Sequence, residues 1–130
     1  MKILVVDDDR TTRKLLSLYL KGNGFDVLTA ENGLDAIEKL GGGAVNMVVT
    51  DLNMPYMDGI EFVRTMKSNP DTAHIPAIMI TTEDDDEERQ RAAAAGADGY
   101  LVKPVTSEVV VQKVRQLLAE IFRKGRNENA

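Results

Sequence analysis

Residues 3–9 read ILVVDDD, an apolar run that ends in three consecutive aspartates. A short, continuous apolar run is typical of a strand covered on both faces, as the strands of parallel sheets are. Further runs of this kind lie at 27–30, 47–50, 75–80 and 100–102, with segments of helical spacing between them. Strands that alternate with helices predict one α/β domain: a doubly wound, five-stranded parallel sheet with right-handed crossovers and helices on both faces.

Five helices are predicted because apolar residues recur on one helical face. The positions are Leu15, Leu16, Tyr19 and Leu20 in the first helix, Ala36, Ile37 and Leu40 in the second, Ile60, Val63 and Met66 in the third, and Val110, Val114, Leu117, Leu118 and Ile121 in the fifth, which runs from Ser107 to about Arg123. The fourth helix, about 84–95, is acidic at its start and rich in alanine at its end. Asn32 and Asp58 are predicted N-caps, and Gly96 is a predicted left-handed stop.

Length and charge narrow the classes of protein that fit. The chain has 130 residues, a formal net charge of -5 and a pI of about 4.9. The length suits one domain, predicted at 1–124, with a disordered tail at 125–130. An excess of negative charge argues against direct binding of nucleic acid. The apolar run at 3–6 is too short for a signal peptide or a membrane span, so a cytoplasmic location is expected.

Polar residues follow the predicted strands at the edge where parallel sheets hold their ligands. Asp7, Asp8 and Asp9 follow the first strand, and Asp51 follows the third. Carboxylates about 4 Å apart repel by ~4 kcal/mol at an effective dielectric near 20, so the cluster needs raised pKa values or a cation. Oxygen ligands without histidine or cysteine select a hard ion, and Mg²⁺ is the natural one, with Mn²⁺ as a substitute.

The remaining groups at this edge suit phosphoryl transfer. An aspartate carboxylate can act as the nucleophile and form an acyl phosphate. A cation and a lysine neutralise the phosphoryl oxygens, and a hydroxyl can donate a hydrogen bond to one of them. Lys103, after the fifth strand, and Thr81, after the fourth, supply these two groups. No single pair of residues is diagnostic, but the ordered set is a strong signal.

With these motifs the chain resembles the receiver domain of two-component response regulators (the CheY-like family) over nearly its full length. The matching stretches are residues 3–9, 50–59, 80–82 and 96–104, which include TDLNMPYMDG and GADGYLVKP. The resemblance implies a flavodoxin-like sheet with strand order 2-1-3-4-5. It also implies a phosphohistidine donor, either a sensor histidine kinase or a phosphotransfer protein, an unknown downstream protein, and a monomer or a phosphorylation-dependent dimer.

The resemblance assigns a role to each residue of the site. It implies that Asp51 is the phosphoacceptor and a metal ligand, that Asp8 binds Mg²⁺ directly, that Asp7 acts through a bound water, and that Asn53 gives the metal its backbone carbonyl. Lys103 would pair with the phosphoryl group, and the Lys103–Pro104 bond is expected to be cis.

A switch follows from the same resemblance. The hydroxyl of Thr81 would be drawn toward the phosphoryl group, and Tyr100 would turn inward behind it, changing the surface of the fourth helix, fifth strand and fifth helix. Thr82 is larger than is usual at its position, and Asn53 and Glu83 occupy positions that resemble ones tuning dephosphorylation. The protein is therefore expected to be a switch and not an enzyme, beyond catalysing its own phosphoryl transfer and dephosphorylation.

Some of these residues also have ordinary structural explanations. Asp9 suits a helix cap better than a metal role, and the acidic run 84–88 is favoured by the helix dipole without any ion. His74, the only histidine, is expected at the surface. Val109, Val110 and Val111 cannot all face the core of one helix, so at least one should be exposed, which would suit a partner surface.

Three other functions share parts of this pattern. A flavin-binding protein of the same fold would need small hydroxyl and glycine residues after the first strand, where this chain has aspartates that repel phosphate. A phosphatase of the haloacid dehalogenase type would carry its nucleophile on the first strand, and here the candidate ends the third. A degenerate receiver, used only for protein binding, is disfavoured because the full acidic, hydroxyl and lysine set is present.

Overall fold

The computed structural model describes the backbone of residues 1–128 and the side chains of residues 1–124. Its strands are β1 Lys2–Val6, β2 Asp26–Ala30, β3 Met47–Thr50, β4 Ala77–Thr81 and β5 Gly99–Val102. Its helices are α1 Arg10–Lys21, α2 Gly33–Leu40, α3 Gly59–Ser68, α4 Asp86–Ala95 and α5 Ser107–Glu128. The five strands form one sheet in the order β2-β1-β3-β4-β5, and every pairing is parallel. The predicted fold and strand order are confirmed.

Two apolar layers hold the helices on the sheet. Helices α2, α3 and α4 pack on one face around Phe62 and Met66, which are 0% and 2% exposed. Helices α1 and α5 pack on the other face around Leu20 and Val114, both 0% exposed. Strands β1, β3 and β4 are buried on both faces, which is why their sequences are almost continuously apolar.

The helix ends follow from side chains that cap them. Asp9, Asn32 and Asp58 each accept a hydrogen bond from a backbone N–H in the first turn of α1, α2 and α3. Asp85 does the same for α4, which therefore begins after it. Gly96 ends α4 in the left-handed conformation, with φ of 110°. The predicted caps and the predicted stop are confirmed, and so is Asp9 as a cap.

The fourth strand begins later than its apolar run predicts. The run 75–80 predicts a start at Ile75, whereas β4 begins at Ala77 and includes Thr81 as its last residue. Pro76 has no N–H to donate to a neighbouring strand, although its carbonyl accepts from Val48 at 2.9 Å. Ile75 is buried all the same, at 5% exposure, in the loop before the strand.

Three apolar helical residues are more exposed than a continuous stripe predicts. Leu15 is 44% exposed, because the buried side of α1 is centred on Leu16 and Leu20. Ile121 is 46% exposed, one turn beyond Leu117, which is buried at 5%. Val109 is 43% exposed beside two buried valines, so the prediction that one of the three faces outward is confirmed.

Helix α5 runs beyond its predicted end near Arg123, whereas the domain boundary at residue 124 stays a prediction. Helix α5 continues to Glu128, so the backbone of 125–128, predicted as a disordered tail, extends the helix. Residues 129–130 of that predicted tail lie outside the described residues. Among the described residues, no helix combines the length and apolar character needed to cross a bilayer.

Candidate functional site

The first two site residues are held in place by the backbone of the sheet. Asp7 follows β1 and donates its N–H to the carbonyl of Ala30 at 3.2 Å, and Asp51 follows β3 and donates to the carbonyl of Val6 at 2.9 Å. Because β1 and β3 are neighbours, the two carboxylates end at the same edge of the sheet. Asp7 is 1% exposed and Asp51 is 9% exposed.

A third carboxylate completes an acidic cluster at this edge. One carboxylate oxygen from each of Asp7, Asp8 and Asp51 lies within 4.8 Å of the others. Asp8 is exposed, so the cluster opens to solvent on one side. Three hard oxygen ligands that retain room for water match the preferences of Mg²⁺. The donor set therefore fits the cation that the sequence predicts.

Asp9, the third aspartate of the run, does not belong to this cluster. Its carboxylate accepts hydrogen bonds from the hydroxyl and the backbone N–H of Thr12, and these contacts lower its pKa. Its own N–H donates to a carboxylate oxygen of Asp7 at 2.9 Å. Asp9 therefore caps α1 and helps to orient Asp7.

Lys103 carries the positive charge of the site. Its Nζ lies 2.9 Å from Oδ2 of Asp7 and 3.3 Å from Oδ2 of Asp51. Burial acts to lower the pKa of Lys103, but the hydrogen bond to Asp7 and the charges of both aspartates outweigh burial and raise it. The Lys103–Pro104 bond is cis, the isomer that the family resemblance implies. Lys103 therefore stays protonated between the two buried carboxylates.

The carboxylate of Asp51 is disfavoured as an anion by its surroundings. Burial is the main reason that the pKa of Asp51 is raised, and the negative charge of Asp7 adds to it. Lys103 and the N–H of Leu52, which donates to Oδ1 at 2.7 Å, act in the opposite direction but do not cancel the rise. A cation bound at this cluster would relieve the remaining repulsion.

Thr81, Asn53 and Tyr100 each form a hydrogen bond with Glu83. The buried hydroxyl of Thr81 accepts the N–H of Glu83 at 3.3 Å, and the side-chain amide of Asn53 donates to the Glu83 carboxylate at 3.1 Å. The hydroxyl of Tyr100 donates to the Glu83 carbonyl at 2.7 Å. The loop between β4 and α4 thus joins the predicted switch residues to the loop that carries Asn53.

Two residues near the site have roles that the sequence pattern did not single out. Arg89 lies over the ring of Tyr100, with Cζ 4.9 Å from the ring centroid. Gly59, which begins α3, packs so closely on the site that a Cβ there would lie 2.1 Å from the carbonyl oxygen of Asp51. The glycine was visible as part of the MPYMDG stretch, whereas nothing in the sequence marks Arg89.

Two further residues, Thr82 and His74, are exposed, and a surface position was expected for His74. Thr82 is exposed and lines a groove with Lys103 and Pro104. His74 is exposed in the loop before β4, away from the acidic cluster. Across the described residues, the acidic cluster of Asp7, Asp8 and Asp51 is the single group of metal-ligating side chains that comes together.

A family model and individual relatives of the chain point to the same protein family. The sequence model of the family described as "Response regulator receiver domain" matches residues 3–115. Chemotaxis protein CheY1 of Helicobacter pylori is 42% identical over 120 residues, which cover 91% of this chain and 97% of that protein. Chemotaxis protein CheY of Pseudomonas aeruginosa is 36% identical over 122 residues, which cover 93% and 98%.

Solved structures agree with the sequence relatives. Chemotaxis protein CheY4 of Vibrio cholerae has a TM-score of 0.85 and 35% sequence identity, covering 88% of this chain and 96% of that one. A CheY-like receiver domain protein from Methanospirillum hungatei has a TM-score of 0.88 and 26% identity, covering 95% and 97%. With the acidic cluster and Lys103 at the carboxyl edge of the sheet, these matches show that the chain belongs to the response regulator receiver domain family, as a CheY-like receiver of two-component signalling.

Proposed function

We propose that this receiver is switched by a phosphoryl group placed on Asp51. The observation that carries the proposal is the contact of one ammonium with two buried carboxylates from neighbouring strands: Lys103 lies 2.9 Å from Asp7 and 3.3 Å from Asp51. That arrangement supports the proposal, because phosphoryl transfer needs a carboxylate nucleophile, acidic side chains that could bind a cation, and a positive charge close together. Histidine kinases and downstream targets are the usual partners of such receivers, and we propose a phosphohistidine of a kinase or phosphotransfer protein as the donor.

The residues divide the work of phosphoryl transfer among them. A carboxylate oxygen of Asp51 forms the new O–P bond while the P–N bond of the donor breaks. The electron pair of that bond stays on the imidazole, which leaves as the neutral ring because its other nitrogen already carries a proton. Lys103 stabilises negative charge on the phosphoryl oxygens. Asp7, Asp8, Asp51 and the backbone carbonyl of Asn53 would hold Mg²⁺, for which Mn²⁺ can substitute. When bound, the cation neutralises charge on the transferred group.

The switch itself is proposed for Thr81 and Tyr100. A phosphoryl group on Asp51 draws the hydroxyl of Thr81 away from the N–H of Glu83, which lies 3.3 Å from it. Because Glu83 also accepts from Tyr100, that movement reaches the outer surface of α4, β5 and α5. The protein then acts by binding a partner, in the cytoplasm and as a monomer or a phosphorylation-dependent dimer. It turns over no external substrate.

The direct test is chemical phosphorylation. Incubation with acetyl phosphate and Mg²⁺ should add one phosphoryl group by intact mass, stable in acid and lost in base. Asp51→Asn should abolish the addition, and chelation should prevent it. Asp26→Asn, an exposed aspartate at the other end of the sheet, is the matched control and should leave it unchanged. A phosphoryl group that persists in Asp51→Asn would place the acceptor elsewhere.

Two further outcomes separate the alternatives. Steady hydrolysis of an external phosphomonoester would favour a phosphatase. No phosphorylation under any condition would favour a receiver that only binds partners.

Relatives from Helicobacter pylori and Pseudomonas aeruginosa are named chemotaxis proteins, and we propose chemotaxis as the pathway. Deletion in the source cell should then alter migration in a chemical gradient, and restoration with the Asp51→Asn variant should fail to correct it.

A further inference from the structure

Tyr100 is held from two sides by groups of the chain itself. On one side its hydroxyl donates to the carbonyl of Glu83 at 2.7 Å. On the other, the guanidinium of Arg89 lies over its ring, 4.9 Å from the centroid. The ring is partly buried and packs against the core on the face of α2, α3 and α4.

Arg89 is itself fixed by an ion pair. Its Nη2 lies 2.7 Å from Oδ1 of Asp84, in the loop just before α4. The hydrogen bond to Asp84 is the main reason that the pKa of Arg89 is raised. A guanidinium paired in its own plane still offers its flat face to a ring, so one side chain can satisfy Asp84 and Tyr100 together.

We propose that Arg89 is a positioning residue that holds Tyr100 against the loop between β4 and α4 before any phosphoryl group is added. Asp84 orients the guanidinium, and the guanidinium covers the face of the ring. The tyrosine hydroxyl then remains on the Glu83 carbonyl. The contacts that hold Tyr100 in this position therefore come from side chains and backbone of the chain itself.

Glu83 links Tyr100 to Thr81, so the contact with Arg89 should also affect signalling; this step rests on the proposed function. Glu83 accepts from Tyr100 through its carbonyl and donates to the hydroxyl of Thr81 through its N–H. A restraint on the ring therefore also restrains the loop that Thr81 must leave. A receiver biased in this way would bind its partner appreciably without phosphate, and phosphorylation would add a smaller further change.

The test observes Tyr100 without phosphodonor or cation, so its outcome is independent of phosphorylation at Asp51. The chain has three tyrosines, and fluorine NMR of 3-fluorotyrosine protein gives one signal for each, with Tyr100→Phe identifying the third. In Arg89→Gln the Tyr100 signal should move toward that of exposed fluorotyrosine. The expected change is about two- to five-fold in the ratio of Tyr100 rings held at the Glu83 carbonyl to rings released from it. This fold-change corresponds to the strength of an exposed cation–π contact.

Three further variants test whether loss of the Arg89–Tyr100 contact causes the shift of the Tyr100 signal. Arg89→Lys keeps a cation over the ring and should restore part of the wild-type shift. Asp84→Asn should give an intermediate shift. Arg91→Gln removes an arginine that pairs with Glu88 on the same helix and should leave Tyr100 unchanged. An unchanged Tyr100 signal in a folded Arg89→Gln protein would overturn the proposal, as would an equal shift in Arg91→Gln.

Discussion

At the scale of single residues, two buried carboxylates beside one lysine leave an unfavourable electrostatic interaction that a bound cation would reduce. Asp51 is 9% exposed and Asp7 is 1% exposed, yet one lysine serves both. The raised pKa of Asp51 shows that burial and Asp7 together outweigh Lys103. We therefore expect the charge on Asp51 to lower the stability of the folded wild-type protein at neutral pH, and a bound cation to offset that loss.

Asp51→Asn should stabilise the protein in the absence of divalent cations. The substitution keeps the shape of the side chain and removes the charge that burial disfavours, so we expect a gain of about 1 kcal/mol. Urea unfolding in a chelator would measure it. Added Mg²⁺ should stabilise the wild type and should stabilise Asp51→Asn less. A variant that is less stable than the wild type in chelator would contradict this balance of charges.

Tyr56, in the loop after Asp51, adopts a backbone conformation that suits asparagine or glycine. Its φ is 71°, which is strained for tyrosine, and its side chain is 85% exposed. Packing of the side chain therefore does little to offset the strain. Tyr56→Asn should raise the free energy of unfolding by about 0.5–1 kcal/mol. Tyr19→Asn would not be expected to stabilise the protein, since Tyr19 lies in α1 and packs on the core. No gain at position 56 would show that the loop is free of strain.

The positions of site residues were predictable only where chemistry restricts the choice of residue, as for Asp7, Asp8, Asp51 and Lys103. Carboxylates and a lysine at the ends of strands can be recognised in the sequence, because few other side chains can bind a cation and a phosphoryl group. Arg89 could not be identified from sequence, since an arginine in an exposed helical turn usually has no specific partner. Its position over Tyr100 depends on how α4 packs beside β5, and only the three-dimensional structure gives that.

At the scale of elements, the start of α3 sets how closely the helix approaches the site. Gly59 donates its N–H to the carbonyl of Leu52 at 2.7 Å and has no room for a side chain. Gly59→Ala should cost about 2–3 kcal/mol of stability, because a Cβ 2.1 Å from the backbone oxygen of Asp51 forces the two segments apart. Chemical unfolding measures the loss, and acetyl phosphate labelling should slow in parallel.

Gly42→Ala provides the comparison for that substitution. A Cβ at Gly42 would meet its nearest atom, the carbonyl oxygen of Lys39, at 3.4 Å, an ordinary contact. That variant should remain close to wild type in both stability and labelling. If the two alanine variants behaved alike, close packing at Gly59 could not be the cause of the loss.

Element boundaries show the limit of an apolar pattern. The pattern gives the existence and type of each strand, because burial on both faces requires a continuous apolar run. It misplaces the start of β4, since Ile75 is buried as a loop residue and Pro76 then delays the strand. The end of α5 at Glu128 is unmarked as well, because the polar residues 124–128 carry no periodic signal.

At the scale of the whole molecule, alternation of strands and helices predicts the layers but not the order of the strands. Several strand orders are compatible with the same apolar runs, because the runs do not show which strands lie next to β1. The order β2-β1-β3-β4-β5, which the structure has, was therefore predicted from the family resemblance. That order brings Asp7 and Asp51 together, since β1 and β3 are paired. The acidic cluster and Lys103 therefore lie at the carboxyl edge of the sheet.

This polarity predicts where phosphorylation changes the motions of the molecule. With acetyl phosphate and Mg²⁺, hydrogen exchange should slow in residues 51–59 and change in 81–90 and 99–106, since these segments carry the site, Glu83, Arg89 and Tyr100. The loops at 41–46 and 69–76, at the other edge of the sheet, should exchange as before. Mass spectrometry of peptic peptides gives this resolution, and Asp51→Asn under the same conditions should show no change in any segment. Equal changes at both edges would mean that the two helical layers move as one body, and a switch confined to α4, β5 and α5 would then be the wrong description.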